Sequence, residues 1–230
     1  MMRSYKVLSL LLGYPRAEWL DHANDLKTVL AEEGLLPRKV RLPLEALIDD
    51  MAGRDLLSVQ EDYVALFDRG RGLSLYIFEH VHGESRDRGQ AMVDLMSHYQ
   101  ARGFKITAAE LPDYLPLFLE FLSQCDPEEA KETLGDAVHI VAALGAKLAK
   151  RKSGYAALFK AIEALAVAEI DKDFVQRAVE EDALRDDSLE ALDKEWEEVP
   201  AFDNTGTGAC AVCPSARPPL SAARPDNHEI

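Results

Sequence analysis

Apolar residues return every three or four positions along almost the whole chain up to Glu198, and no stretch of useful length alternates apolar with polar. That period belongs to helices with one buried face, and it leaves no material for a sheet. Leu56, Val59, Tyr63, Leu66 and Phe67 form one stripe, closed by the breaker run 68–72 (DRGRG). Met92, Leu95, Met96 and Tyr99 form a second, stopped by Gly103. A third begins at Asp126-Pro127-Glu128-Glu129, a capping aspartate followed by a proline that needs no hydrogen-bonded N–H, and carries Leu134, Val138, Val141, Leu144 and Leu148. Its end is rich in cations (Lys147, Lys150, Arg151, Lys152), which suit the negative end of a helix dipole. Tyr155, Leu158, Phe159, Ile162 and Leu165 give the next stripe. The expected fold is all-α, one compact multi-helix bundle over residues 1–199.

One segment resists this simple reading. Thr107 and Glu110 are spaced as a capping box, with Ile106 and Leu111 as its hydrophobic staple, yet Pro112 and Pro116 follow at once. A proline inside a helix costs ~3 kcal/mol. The conflict is relieved if the box closes only a short turn and Asp113 caps a second helix, with Pro116 in its first turn. A kinked entry of this kind shapes a surface.

Charge narrows the possible partners. The 230 residues carry a formal net charge of −15, which disfavours nucleic acid and anionic lipid and favours a basic peptide or protein surface. From Glu169 to Glu198 there are 13 acidic and 4 basic residues, and Ser188, Leu189, Leu192 and Trp196 suit a last acidic helix there. Residues 200–230 are rich in Pro, Gly, Ser and Ala and have few large apolar side chains to offset ordering entropy, so a disordered tail is expected. The apolar run Val7–Leu12 is short for a signal sequence, and no stretch reaches the ~18 apolar residues of a membrane span. With 3 cysteines the chain is no disulfide scaffold, and Cys210 and Cys213 form a lone CxxC without the further ligands of a zinc site. The expected compartment is the cytoplasm.

The densest polar run is 78–95, FEHVHGESRDRGQAMVDL. Its His80, His82, Glu84 and Asp87 admit a metal site, as in a metal-dependent hydrolase, but residues i and i+2 diverge on a helix and no HExxH spacing is present. Glu84 and Arg88 are placed as an i, i+4 pair. No nucleophile-and-base arrangement, phosphate loop or dinucleotide fingerprint is found, so the residues read as a binding protein and not an enzyme, with no cofactor of its own.

Residues 63–95 (YVALFDRGRGLSLYIFEHVHGESRDRGQAMVDL), 110–122 (ELPDYLPLFLEFL) and the opening YKVLSLLLGYP resemble the nitrate reductase delta subunit family, the NarJ-type molybdenum cofactor assembly chaperones. The resemblance spans roughly residues 5–198. It implies a helical redox-enzyme maturation chaperone that binds the N-terminal segment of the apo catalytic (alpha) subunit of respiratory nitrate reductase. Such a chaperone keeps that subunit competent for iron–sulfur and molybdenum cofactor insertion before membrane anchoring, is absent from the mature enzyme, and works beside the cofactor delivery machinery. Where the wider group has histidine in the acidic-proline motif, this chain has Tyr114.

An amphipathic basic segment needs an apolar groove rimmed by carboxylates. Glu79, Glu84, Asp87, Glu110 and Asp113 are expected to meet its cations, with Asp68, His80, His82, Arg86 and Arg88 around them. Tyr63, Phe67, Leu111, Tyr114, Leu115 and Phe121 are expected to form or support the apolar floor. A structural subunit of a redox complex is the remaining rival. Truncation after Pro200 should leave the melting temperature within experimental error of the full chain; a drop of several degrees would show a docked tail.

Overall fold

The structure, a computed structural model, describes residues 1–82, 86–106 and 110–184, with only the backbone of His82. Glu84, Thr107, the 188–198 helix, the tail and both tail cysteines lie outside the described residues. Within them the chain runs α1 (Arg3–Leu12), α2 (Ala17–Leu20), α3 (Ala23–Glu33), α4 (Arg38–Gly53), α5 (Leu56–Phe67), a 3-10 turn (Arg71–Leu73), α6 (Glu79–His82), α7 (Arg86–Ala101), α8 (Leu115–Leu122), α9 (Pro127–Lys150), α10 (Tyr155–Glu163) and α11 (Lys172–Leu184). The only β-type pairing among the described residues is an isolated antiparallel bridge between Tyr76 and Tyr114. No described helix is long and apolar enough to cross a membrane.

The helices expected from periodicity within the described residues are present. α5 ends at Phe67 before the breaker run, α7 ends at Ala101 before Gly103, whose φ of +73° suits a residue without Cβ, and α9 starts at Pro127 after Asp126. Lys147 departs from expectation. It is buried, and its Nζ donates to the Gly72 carbonyl at 2.9 Å, tying α9 to the 3-10 turn where a solvated last-turn cation was expected.

The apolar run at the amino end becomes α1, which buries Tyr5, Leu8, Leu11 and Leu12 and packs against α3, α8 and α10. The 24-residue α9, about 36 Å long at 1.5 Å per residue, packs against α10 and α11. Gly145 permits the close approach of α9 to α10, since a Cβ there would stand 3.1 Å from that of Phe159. One polar contact inside the packing is closed: the Ser9 hydroxyl donates to the Pro116 carbonyl at 2.7 Å, joining α1 to α8.

Helix α1 also borrows its cap. Its first N–H groups have no local side-chain acceptor, and the Glu33 carboxylate at the end of α3 accepts from the backbone N–H of Arg3 (2.8 Å) and of Ser4. Burial pushes the Glu33 carboxyl up, but these bonds outweigh it and hold the group below its ordinary value. A depressed folded pKa means stability that is present above the unfolded value and lost as pH falls through the folded one. Glu33→Gln should therefore cost about 1 kcal/mol near neutral pH and progressively less below about pH 4. Urea unfolding across that range checks this, and a pH-independent cost would contradict it.

An acidic aromatic pocket held by a backbone clamp

Two segments far apart in sequence build the candidate site. The Ile77 N–H donates to the Asp113 carbonyl (3.0 Å) and the Leu115 N–H to the Leu75 carbonyl (2.8 Å), which locks 74–80 against 112–115. The Asp113 carboxylate accepts from the Phe78 N–H at 3.1 Å and lies 3.9 Å from the Arg88 guanidinium, which also meets Glu79 at 3.2 Å. His80 Nε2 bonds the Ser74 carbonyl at 2.8 Å, and the Tyr99 hydroxyl donates to the Pro112 carbonyl at 2.8 Å. Pro112 and Pro116 fit this path: neither supplies an N–H to a helix ladder, and the chain enters α8 at an angle set by the clamp.

On one side of the clamp lies a pocket of about 180 Å³ walled by Tyr14, Tyr63, Phe67, Tyr76 and Tyr114, with Ser74, Leu75, Asp68 and Glu110 completing it. The Tyr63 hydroxyl donates to the Leu12 carbonyl at 3.1 Å and stands 3.3 Å from the Tyr114 hydroxyl. Tyr14 packs edge-on against Tyr63 (ring centroids 5.6 Å apart), Phe67 lies 4.9 Å from Tyr63, and Tyr76 lies 5.4 Å from Tyr114. At the mouth the Tyr76 hydroxyl donates to Glu110 at 3.2 Å, while Asp68 caps the end of α5; both carboxylate residues are exposed. Burial and then Glu110 push the Tyr76 hydroxyl up to about 12, and burial, Glu110 and Asp68 also raise Tyr114. These hydroxyls stay protonated near neutral pH in a pocket of negative potential.

On the other side, a cleft of about 620 Å³ runs between the 3-10 turn, α6, α7, α9 and α11, lined by cations and anions together: Arg71, Arg88, Lys147 and Arg177 with Glu79, Glu181 and Asp182. Arg151 holds Asp182 at 3.1 Å beside it.

The residues expected to form one surface are thus divided. Tyr63, Phe67, Asp68, Glu110 and Tyr114 converge in the aromatic pocket, whereas Glu79, His80 and Arg88 face the mixed-charge cleft. Arg86 and Asp87 are exposed in the first turn of α7 and line neither. Several expectations are corrected. Asp113 does not cap α8, whose N-cap is Tyr114, nor does it meet a surface cation: it is fully buried and serves the clamp. Leu115 and Phe121 are 1% exposed and belong to the core, where Phe121 stacks on Tyr99 at 4.4 Å. Leu111 is 42% exposed and is not part of the buried core. Arg88 serves Glu79 and Asp113. Among the described residues no three His, Cys, Asp or Glu side chains gather as a metal site.

Sequence reasoning missed Tyr14, Ser74, Leu75 and Tyr76. Tyr14 and Tyr76 stand in two of the stretches that carry the family resemblance, LLGYP and LSLYIFEH, but their convergence depends on the tertiary clamp.

Residues 33–161 match the family model described as nitrate reductase delta subunit. The chain belongs to that family. It is 43% identical over 221 residues to the nitrate reductase molybdenum cofactor assembly chaperone NarJ of Escherichia coli K12, covering 95% of this chain and 93% of that one. It is 41% identical over 215 residues to the probable chaperone of the same description, NarW, of that strain (93% and 89% covered). Probable NarJ of Bacillus subtilis 168 is 35% identical over 155 residues, 67% of this chain and 83% of that one. The match takes in the clamp and the aromatic pocket except Tyr14, which lies before residue 33.

Asp113→Ala should remove the acceptor of the Phe78 N–H and the buried partner of Arg88, destabilising the protein by about 2–3 kcal/mol. Asp113→Asn keeps an acceptor and should lose clearly less in the same denaturant titration. Equal losses would place Asp113 outside the clamp's energetics.

Proposed function

We propose that this chain is a system-specific chaperone for nitrate reductase, acting on the apo catalytic (alpha) subunit and keeping it competent for molybdenum cofactor and iron–sulfur insertion. The single observation that carries this reading is the family membership, with relatives described as molybdenum cofactor assembly chaperones along nearly the full chain. As a member of that family the protein is an assembly factor and not an enzyme. Nothing observed favours a metal-dependent hydrolase or a permanent structural subunit.

The finer reading is that residues 1–199 form the chaperone domain, that it acts in the cytoplasm, and that it holds the alpha subunit by its N-terminal segment. The geometry supports this in one respect. An aromatic pocket with carboxylates at its mouth, in a chain of net charge −15, is chemically suited to an amphipathic basic segment. Asp87, exposed in the first turn of α7, belongs to the outer rim in this reading, where loss of a solvated charge costs little.

A peptide of the alpha subunit's N-terminal segment should bind the full chain in calorimetry, and binding should weaken with salt, because rim charges are screened beyond a Debye length of ~8 Å at physiological ionic strength. Glu84→Ala and Asp87→Ala should each weaken it roughly two- to fivefold. Cells without the chaperone should accumulate alpha subunit poor in molybdenum, and this chain should restore it. Unchanged molybdenum content in its absence would refute the function; absent peptide binding would refute only the segment.

A further inference from the structure

The aromatic pocket has a feature that a general apolar groove does not need. It is a half-open hollow of about 180 Å³ between five rings and the Asp68 and Glu110 side chains, below the roughly 300–1,000 Å³ of small-molecule sites and of a size for one side chain. Asp68 and Glu110 stand at its edge, and neither is ion-paired with a described residue. No Lys, Arg or His is found among its described lining residues, although cations line the cleft on the other side of the clamp.

An anion would meet two carboxylates and the negative ring faces. An apolar side chain would fill the space but strip water from Asp68 and Glu110 without giving them a partner, which is costly for charged groups. A hard metal ion takes about six or more oxygen ligands, and a site walled largely by rings cannot supply them. A cation on an aliphatic stem satisfies all the walls at once: its stem lies along the rings, its charge gains from the ring faces, and its N–H groups reach carboxylate and hydroxyl oxygens. The acceptors are already fixed, Glu110 by the Tyr76 hydroxyl and the Tyr114 hydroxyl by Tyr63, which is itself held by the Leu12 carbonyl. Little ordering remains to be done when the cation enters.

We propose that this pocket is a socket for a single basic side chain, arginine or lysine, of the bound partner segment, held between the tyrosine rings and the Asp68 and Glu110 carboxylates. The proposal rests on the chaperone reading for the source of that side chain, but the chemistry of the socket can be tested without it.

N-acetyl-arginine amide, the lysine equivalent and the uncharged isostere N-acetyl-citrulline amide are titrated into the full chain, and the tyrosine ring signals are followed by NMR. The two cationic probes should produce saturable shifts of Tyr63, Tyr76 and Tyr114, with binding about tenfold tighter than citrulline. That preference should vanish in Asp68→Asn with Glu110→Gln, two exposed positions where helical content by circular dichroism should be unchanged. Equal shifts by arginine and citrulline, or no saturable shift by any probe, would overturn the socket. A parallel series replaces each basic residue of the N-terminal peptide by glutamine. One position should lose at least about tenfold, and only with wild-type Asp68 and Glu110. A peptide that binds with its loss spread evenly over all cations would overturn the socket and leave the chaperone reading standing. A socket that takes arginine while the peptide fails to bind would instead redirect the search for the partner segment.

Discussion

Segments 74–80 and 112–115 meet backbone to backbone, and Asp113 contributes twice to that meeting, its carbonyl to Ile77 and its carboxylate to Phe78. An acidic side chain with no exposed surface is costly, and burial pushes its carboxyl up while the Phe78 N–H and Arg88 pull against that shift. The cost is tolerated because the clamp organises both sides of the molecule. It turns Tyr76 and Tyr114 toward one another over the aromatic pocket, and through Arg88 it draws the start of α7 and Glu79 toward the mixed-charge cleft. Without it, the irregular segments 74–78 and 110–114 would have few backbone partners.

The helices were legible because their signals are local. The stripe from Leu56 to Phe67, the Asp126-Pro127 start and the Gly103 stop each act within a few residues, and each falls where the structure has a boundary. The pocket was legible in part, since Tyr63, Phe67, Asp68, Glu110 and Tyr114 lie in the stretches whose resemblance drew attention to them. What failed was the depth of individual side chains. Asp113 looks like a helix cap beside Pro112, but the long-range demand of the Phe78 N–H takes its carboxylate inward. Leu115 and Phe121 share a period with the supposed floor, and a period cannot say whether an apolar face meets core or ligand. Lys147 looked like a dipole-compensating cation, and only the fold brings the Gly72 carbonyl to it.

The division of the polar surface matters for how an acidic chain can be selective. In the mixed-charge cleft, Arg88 faces Glu79 and Arg151 faces Asp182, so much of the charge there is already compensated within the protein. In the aromatic pocket the Asp68 and Glu110 carboxylates are left for something else, and the ring walls limit what that can be. Overall negative charge would speed encounter with any basic segment, whereas a preformed pocket of fixed size discriminates among segments once they arrive.

We propose that the clamp and the aromatic pocket beside it form the surface that holds the alpha subunit. Hydrogen–deuterium exchange on the full chain, alone and with the apo alpha subunit, maps the surface that is covered on binding. Added protection should concentrate in 63–68, 74–80 and 110–115. Protection confined to α3 and α4, with those three segments unchanged, would contradict it.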